Sequence, residues 1–351
     1  MATFDHYPWA DKLPAATLDV SEEHYHEFFR TMFERQMIWK RRFLDQKPRP
    51  WTDDPILRDY KFTNVYRELD RNSQWQIRNI LLDDELTLTN LVWKMMVFRY
   101  FNNPPTFEYA REKYGWGAGI PDYNQYDEKT FAEMVASYRL SGHNPFTTAY
   151  LINSMAAPGK TRDECYTETV IPTLHRRLYE LMRVVLTAKT PEDIIQFLRT
   201  LPASAAFIAH EFYQDFTYIP RYTYRRFMRF TQDDYTNVGP GASTGLRLIF
   251  PSLKCQVDGI YRLRDEAAKA LSVYGDFPYL HWHKLENGYY TTPNGELTLH
   301  QVEMWLCEYQ KYWKVKIGQG KQRSLFQPHT KVMHFNDNVP STNRGERIHG
   351  Y

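Results

Sequence analysis

Apolar positions recur at three- and four-residue spacing along most of the chain, the pattern of helices that bury one face. The period predicts a helix over 21–43, with Phe28, Met32, Met37, Ile38 and Phe43 turned inward and Ser21 capping ahead of Glu22 and Glu23. It predicts others over 86–101, 127–140, 165–188 (bent at Pro172), 190–201 (Thr190 as N-cap, Pro191 in the first turn), 207–218, 263–271 and 302–313. Strand-like alternation is scarce. The exception is 283–298, where Gly288-Tyr289-Tyr290-Thr291-Thr292 and Asn294-Gly295 suggest a small hairpin. The tail 324–351, rich in Asn, His, Gly and Pro, is expected to be irregular, and 1–323 to be one helical domain or two intimate lobes.

The stretch 62–78 carries the most chemistry. Phe62, Val65, Tyr66, Leu69, Ile77 and, just beyond, Ile80 predict one buried stripe, and Arg67, Asp70, Arg71, Gln74 and Arg78 fall on the other side at i, i+3, i+4, i+7 and i+11. Five hydrogen-bonding side chains then share a face of about three helical turns. A solvated face knitted by weak pairs explains them as well as a binding site does. Glu308 and Lys311, beside the apolar stripe Val302, Trp305, Leu306, Tyr309, Tyr312 and Trp313, pose the same choice. They form either a surface ion pair or a proton-exchanging glutamate against an aromatic wall.

Composition narrows the classes. Nine Trp, 21 Phe and 26 Tyr suit base stacking or an ordinary helical core, and a net charge of +2 shifts attention to local patches. Arg221, Arg225, Arg226 and Arg229 lie within nine residues that contain no acid, and Lys314, Lys316, Lys321 and Arg323 form a second basic run. Three scattered cysteines give neither a zinc site nor a disulfide framework. Asp53 and Asp54 before Pro55 suit a turn or cap, with a divalent cation as the alternative. The start of the chain has no signal-peptide pattern and no run of eighteen apolar residues occurs, so a cytoplasmic protein without membrane contact is expected.

The glycine block Asn237-Val238-Gly239-Pro240-Gly241-Ala242 has no following Lys, and Gly159-Lys160-Thr161 has Ser154 where a P-loop needs its first glycine. Neither is a Walker A loop, so this chain is not expected to be a kinase itself. The remaining reading is a tight glycine turn between helices, with Gly239 and Gly241 offering backbone N–H groups to a DNA phosphate.

The blocks ERQMIWKRRFLDQKPRPWTDDPIL (34–57), the stretch that follows, YTNVGPGASTGL (235–246) and LHQVEMWLCEYQK (299–311) stand in this order. Together they resemble the α-glutamyl/putrescinyl thymine pyrophosphorylase family, also found as the helical domain of 5-hydroxymethyluracil DNA kinases. The resemblance implies a mainly α, DNA-glycosylase-like fold with a helix-hairpin-helix-like glycine turn. It implies a transferase of phage thymidine hypermodification, protecting viral DNA from host restriction, that displaces pyrophosphate from 5-pyrophosphooxymethyluracil in DNA. The partners would be double-stranded DNA carrying the modified pyrimidine, an amino acid or polyamine, and functionally a DNA-base kinase, within the host cytoplasm if the chain is phage-encoded. No resident cofactor is implied, although a divalent cation would help pyrophosphate leave. On this reading Arg67, Arg71 and Lys311 clamp the pyrophosphate, Asp70 or Glu308 is the base, and Asn64 and Gln74 read the pyrimidine. Gln214 and Asp215 either line the site or complete an internal network, and Arg221, Arg225, Arg226, Gly239 and Gly241 hold DNA. The competing chemistry is a DNA glycosylase that excises bulky modified pyrimidines from phage DNA.

Overall fold

The computed structural model describes residues 19–148, 159–223, 225–280, 297–319 and 325–326. Among them every regular element is helical and none is a strand; the one strand-like pairing is an isolated antiparallel bridge between Tyr60 and Leu325. The expected mainly α fold with a hairpin is corrected to an all-helical one among the described residues. The segment expected to form that hairpin, 283–298, lies outside them apart from Leu297 and Thr298, which lead into the last helix. The tail 324–351 also lies outside them, apart from Leu325 and Phe326. No described helix is long and apolar enough to cross a membrane.

The chain divides at Asp70/Arg71 and Thr231/Gln232 into two compact units. The first, drawn from both ends of the chain, contains α1 (Glu22–Trp39), running into a π-turn (Lys40–Leu44), and α2 (Pro55–Asp59). The second, Arg71–Thr231, holds α3 (Arg71–Gln76), α4 (Leu88–Phe101), α5 (Pro104–Tyr114), α6 (Glu128–Leu140), α7 (Arg162–Cys165), α8 (Ile171–Thr187), α9 (Pro191–Leu198) and α10 (Ala206–Tyr222). The chain then returns to the first unit for α11 (Pro240–Ile249), α12 (Gln256–Ser272) and α13 (Leu299–Lys316).

In the second unit α4 is buried all round from Leu91 to Phe101, so it is the axis on which neighbours pack. Thr87 caps its start by accepting from the Asn90 N–H, and Asn102 ends it in the left-handed conformation. Thr190 forms a reciprocal capping box with Asp193 at α9. A π-turn, Tyr166–Val170, separates α7 from α8 immediately before Pro172. Proline has no N–H to continue the ladder and crowds the carbonyl four residues back, so the bend expected there takes this form.

In the first unit Phe28, Phe29, Met32, Leu246, Ile249, Ile260, Leu263, Trp305, Leu306 and Tyr309 form the core between α1, α11, α12 and α13. The glycine block is not a turn between helices, and this corrects the expected helix-hairpin-helix-like feature. Gly239 is the N-cap of α11, Pro240 its first residue, and Gly241 and Gly245 lie within it. Pro at the first position suits a helix start because its missing N–H has no intrahelical partner there anyway. The glycines serve close packing: a Cβ on Gly245 would stand 2.5 Å from the Leu306 carbonyl oxygen, and one on Gly241 would collide with Cys307 Sγ.

Candidate functional site

The helix expected over 62–78 is interrupted. Residues 62–66 are irregular, Arg67–Leu69 is a single 3₁₀ turn, and Asp70 is extended before α3 begins at Arg71. Side chains take the backbone groups that a helix would have used. Asp70 Oδ1 accepts both the Asn64 backbone N–H and its side-chain amide, each at 2.9 Å, and that amide also donates to the Leu69 carbonyl at 3.0 Å. One residue earlier, the Thr63 N–H donates to Glu308 Oε2 at 3.3 Å, and Arg35 of α1 donates to the Phe62 carbonyl at 3.4 Å. Two successive N–H groups thus point at two carboxylates, one beside α3 in sequence and one on α13.

Around this segment charges of both signs gather in the first unit. Glu308 is 3% exposed and accepts from Lys311 Nζ at 2.8 Å, as the i, i+3 spacing on α13 allows. Arg67 is buried, and Arg35 stands close enough to Asp70 and Glu308 for both carboxylates to act on its charge. Burial pulls Arg35 down to about 10, which leaves it cationic at neutral pH. Asp70 keeps part of its surface in solvent while its carboxyl is enclosed by protein. Burial pushes it up to about 6, against the opposing pull of Asn64, Arg35 and Arg67. A carboxyl titrating there exchanges protons near neutrality. Thr63 Oγ1 is buried with no hydrogen-bond partner among the described residues, which leaves a polar atom for a ligand.

A second layer supports this one. Glu68 is fully buried and accepts from Gln232 Nε2 at 3.4 Å, and Gln232 Oε1 accepts from Gln301 Nε2 at 3.0 Å. Gln301 Oε1 in turn accepts the Thr298 N–H at 2.8 Å in the capping box of α13. The 3₁₀ turn that carries Arg67 is therefore tied to the start of the helix that carries Glu308 and Lys311.

The other expected site residues are placed differently. Arg71, exposed, and Gln74, buried, open the second unit and belong to its description. Within that unit Asp215 is held bidentately by Arg99, at 2.7 Å from Nε and 2.6 Å from Nη2, and accepts from Gln76 at 3.3 Å. Gln214 pairs with His210 at 3.0 Å. These side chains, almost wholly buried, have the form of an internal network. Arg225 donates to the Asp84 carbonyl at 3.1 Å, Arg226 is exposed, and the side chain of Arg221 lies outside the described residues. In the first unit the Gly239 N–H donates to Glu303 at 3.3 Å, so a carboxylate of α13 occupies the place proposed for a phosphate. Asp54 caps α2, accepting from Ile56 and Leu57 N–H at 2.9 and 3.0 Å. Among the described residues no group of three or more His, Cys, Asp or Glu is arranged to hold a metal.

Residues 22–322, most of the chain and spanning the site segment, α11 and α13, match the family described as 5-hmdU DNA kinase, helical domain. The chain belongs to this family. It is 31% identical over 296 residues to a 5-hmdU DNA kinase of Bacillus phage SP10, an alignment covering 82% of this chain and 44% of that protein. The chain thus spans under half the length of that relative. No solved structure matches.

For this member of the 5-hmdU DNA kinase helical-domain family, sequence reading missed Arg35, Glu68 and Gln232. Arg35 sits in the block 34–57 already singled out, but period alone does not reveal that it turns toward a carboxylate more than thirty residues away. Gln232 stands two residues after the basic aromatic stretch 221–230, which was the one sequence signal that could have drawn attention to it.

Proposed function

We propose that this chain is an amino acid:DNA transferase of phage thymidine hypermodification, replacing pyrophosphate on 5-pyrophosphooxymethyluracil in DNA with an amine such as glycine. Family membership supports a role in modifying DNA bases. The phage relative is named as a kinase acting on 5-hmdU DNA, and phosphorylation is what turns a hydroxymethyl group into one that can leave.

The observation that carries the reading is Asp70: a residue partly exposed to solvent whose enclosed carboxyl is held by burial at about 6, with Arg35 and Arg67 acting on it. In the proposed reaction Asp70 takes a proton from the incoming ammonium. The amine lone pair forms a C–N bond to the exocyclic carbon as its C–O bond to pyrophosphate breaks, and the pair in that bond leaves with pyrophosphate. Arg35, Arg67 and Lys311 offset the charge that develops on the leaving group. Asn64 has both amide hydrogens engaged, so its carbonyl oxygen is the group left to accept the N3–H of an everted pyrimidine. Asp70 is preferred to Glu308 as base because Glu308 is ion-paired with Lys311.

The test is duplex DNA carrying 5-pyrophosphooxymethyluracil, incubated with glycine or putrescine and then digested for nucleoside mass spectrometry. A nucleoside carrying the amine in place of the pyrophosphate is expected with the wild type and is lost in Asp70→Asn and Arg67→Ala. Strand breaks after alkali, with no aminated nucleoside, would replace this reading with base excision.

A further inference from the structure

The turn that follows α1 gathers cations that the site described above does not use. Lys40, Arg41, Arg42, Lys47 and Arg49 lie within ten residues containing a single acid, Asp45. Two of the five are neutralised locally. Lys40 donates to Asp45 at 2.8 Å, and Arg41 to Glu34 and to the Trp51 carbonyl, each at 2.6 Å. Arg42, Lys47 and Arg49 have no acid within ion-pairing distance among the described residues. Asp59, whose carboxylate feels Arg49, is itself held by Arg58 at 2.7 Å.

Arg42 and Arg49 share one aromatic platform. The Arg42 guanidinium lies 4.9 Å from the Trp51 ring centre and 5.7 Å from that of Phe326, and the Arg49 guanidinium lies 5.6 Å from each. The Trp51 N–H is fixed on the Lys47 carbonyl at 2.7 Å, so the indole is anchored and its ring already engaged by guanidinium groups. Stacking orders the two arginines without neutralising them. They repel one another, since the Arg49 charge adds to burial in lowering Arg42, and Arg42 Nε is buried with no hydrogen-bond partner among the described residues. Two like charges held together without a counter-ion are relieved by an anion.

We propose that Arg42 and Arg49, on the Trp51–Phe326 platform and with Lys47 beside them, grip the phosphodiester backbone of duplex DNA. A backbone fits better than a small free phosphate. An open groove of about 490 Å³ adjoining Trp51 is lined by Glu34, Asp53 and Asp54 as well as Arg30 and Arg41, and those acids repel a free anion that settles there. Neither Arg42 nor Arg49 lines that groove, so a fixed polyanion can meet them without entering it. The choice of DNA as the nucleic acid rests on the function proposed above; the clamp itself does not depend on the chemistry at Asp70.

The test measures binding of the whole chain to an unmodified duplex of roughly 20 base pairs, with no amine present, by fluorescence anisotropy across a salt series. Each phosphate contact adds about 0.9 to the slope of log K against log salt. Arg42→Gln/Arg49→Gln is expected to weaken binding at least tenfold and flatten the slope by about 1.8. Arg42→Lys/Arg49→Lys, which keeps the charge, is expected to retain the slope. Lys129→Gln/Arg183→Gln, an equal loss of charge at exposed positions elsewhere, is expected to change it far less. An unchanged slope in the Gln pair, or equal losses in the Gln and Lys pairs, would overturn the clamp. So would displacement of the duplex by millimolar inorganic phosphate or pyrophosphate at constant ionic strength, which assigns the site to a small anion. Failure of the transferase assay with normal salt-dependent binding would strike the proposed function and leave the clamp standing.

Discussion

Replacing Asp70 by Asn isolates what it costs to keep a carboxyl ready to exchange protons. Asp70 is raised from the usual 3.8 to about 6, a value already net of the favourable contributions from Asn64, Arg35 and Arg67. Because the folded-state value is raised, the folded protein holds the proton more tightly than the unfolded chain does. The stability this provides is full below about pH 4 and is lost as pH rises through about 6. At pH 8 the ionised carboxylate therefore costs on the order of 2–3 kcal/mol relative to a neutral group of the same shape. Asn is such a group, and its carbonyl oxygen can still accept the two Asn64 N–H bonds that Asp70 accepts at 2.9 Å. Urea unfolding should find wild type and Asp70→Asn alike near pH 4, and the variant more stable by about 2 kcal/mol at pH 8, while its transferase activity is lost. Parallel stability curves between pH 4 and 8, or a variant weaker at pH 8, would show that burial does not govern this carboxyl.

Three further outcomes follow from the same geometry. Transfer at saturating amine should rise with pH along a one-proton limb centred at about 6, because the base must be ionised, and a wild-type rate that stays flat between about pH 5 and 7 would rule Asp70 out as that base. Arg99→Met, which strips Asp215 of its bidentate partner at 1% exposure, should cost about 3–5 kcal/mol in urea unfolding, with Arg99→Met/Asp215→Leu recovering most of it; a cost below about 1 kcal/mol would mean the pair is not structural. Gly245→Ala should lose about 1–3 kcal/mol because its Cβ meets the Leu306 backbone, whereas Gly239→Ala, whose Cβ would meet only the Glu303 carboxylate at 3.7 Å, should be close to neutral by the same measurement.

Helices whose burial is set by their own period were legible in the sequence. The expected stretches around α1, α4, α6, α9 and α13 are helical, and the capping roles of Asp54 and Thr190 follow from residues two or three positions away. What local pattern cannot carry is a partner from afar. Glycine at 241 and 245 reads equally as a flexible turn or as a flat packing surface, and only the approach of Cys307 and Leu306 decides for packing. Helix α5 went unpredicted because Asn103-Pro104-Pro105 looks like a terminator, although proline is as well suited to a helix's first turn as to the stretch after its end. The division at Asp70/Arg71 passes through a continuous apolar period with no shift in composition to mark it.

The failure at 62–70 is of another kind, and it bears on function. Its apolar residues do turn inward: Phe62, Val65, Tyr66 and Leu69 are all buried. Helix was lost because Thr63 and Asn64 give their N–H groups to Glu308 and Asp70, and the Phe62 carbonyl receives Arg35. A chain that only needed a stable core would have done better with the helix its period favours, since two enclosed carboxylates and an enclosed arginine each carry a desolvation cost. Local structure departs from local preference here in order to bring opposite charges to one segment, and such departures concentrate at functional sites. The same residues that spoil the helix are those assigned to proton transfer and charge clamping. Apolar replacement of Asp70, Glu308 and Arg35 together, as Asp70→Leu/Glu308→Leu/Arg35→Met, should therefore leave a folded, transferase-inactive protein by circular dichroism and activity assay; loss of the fold would mean the charges are there for stability after all.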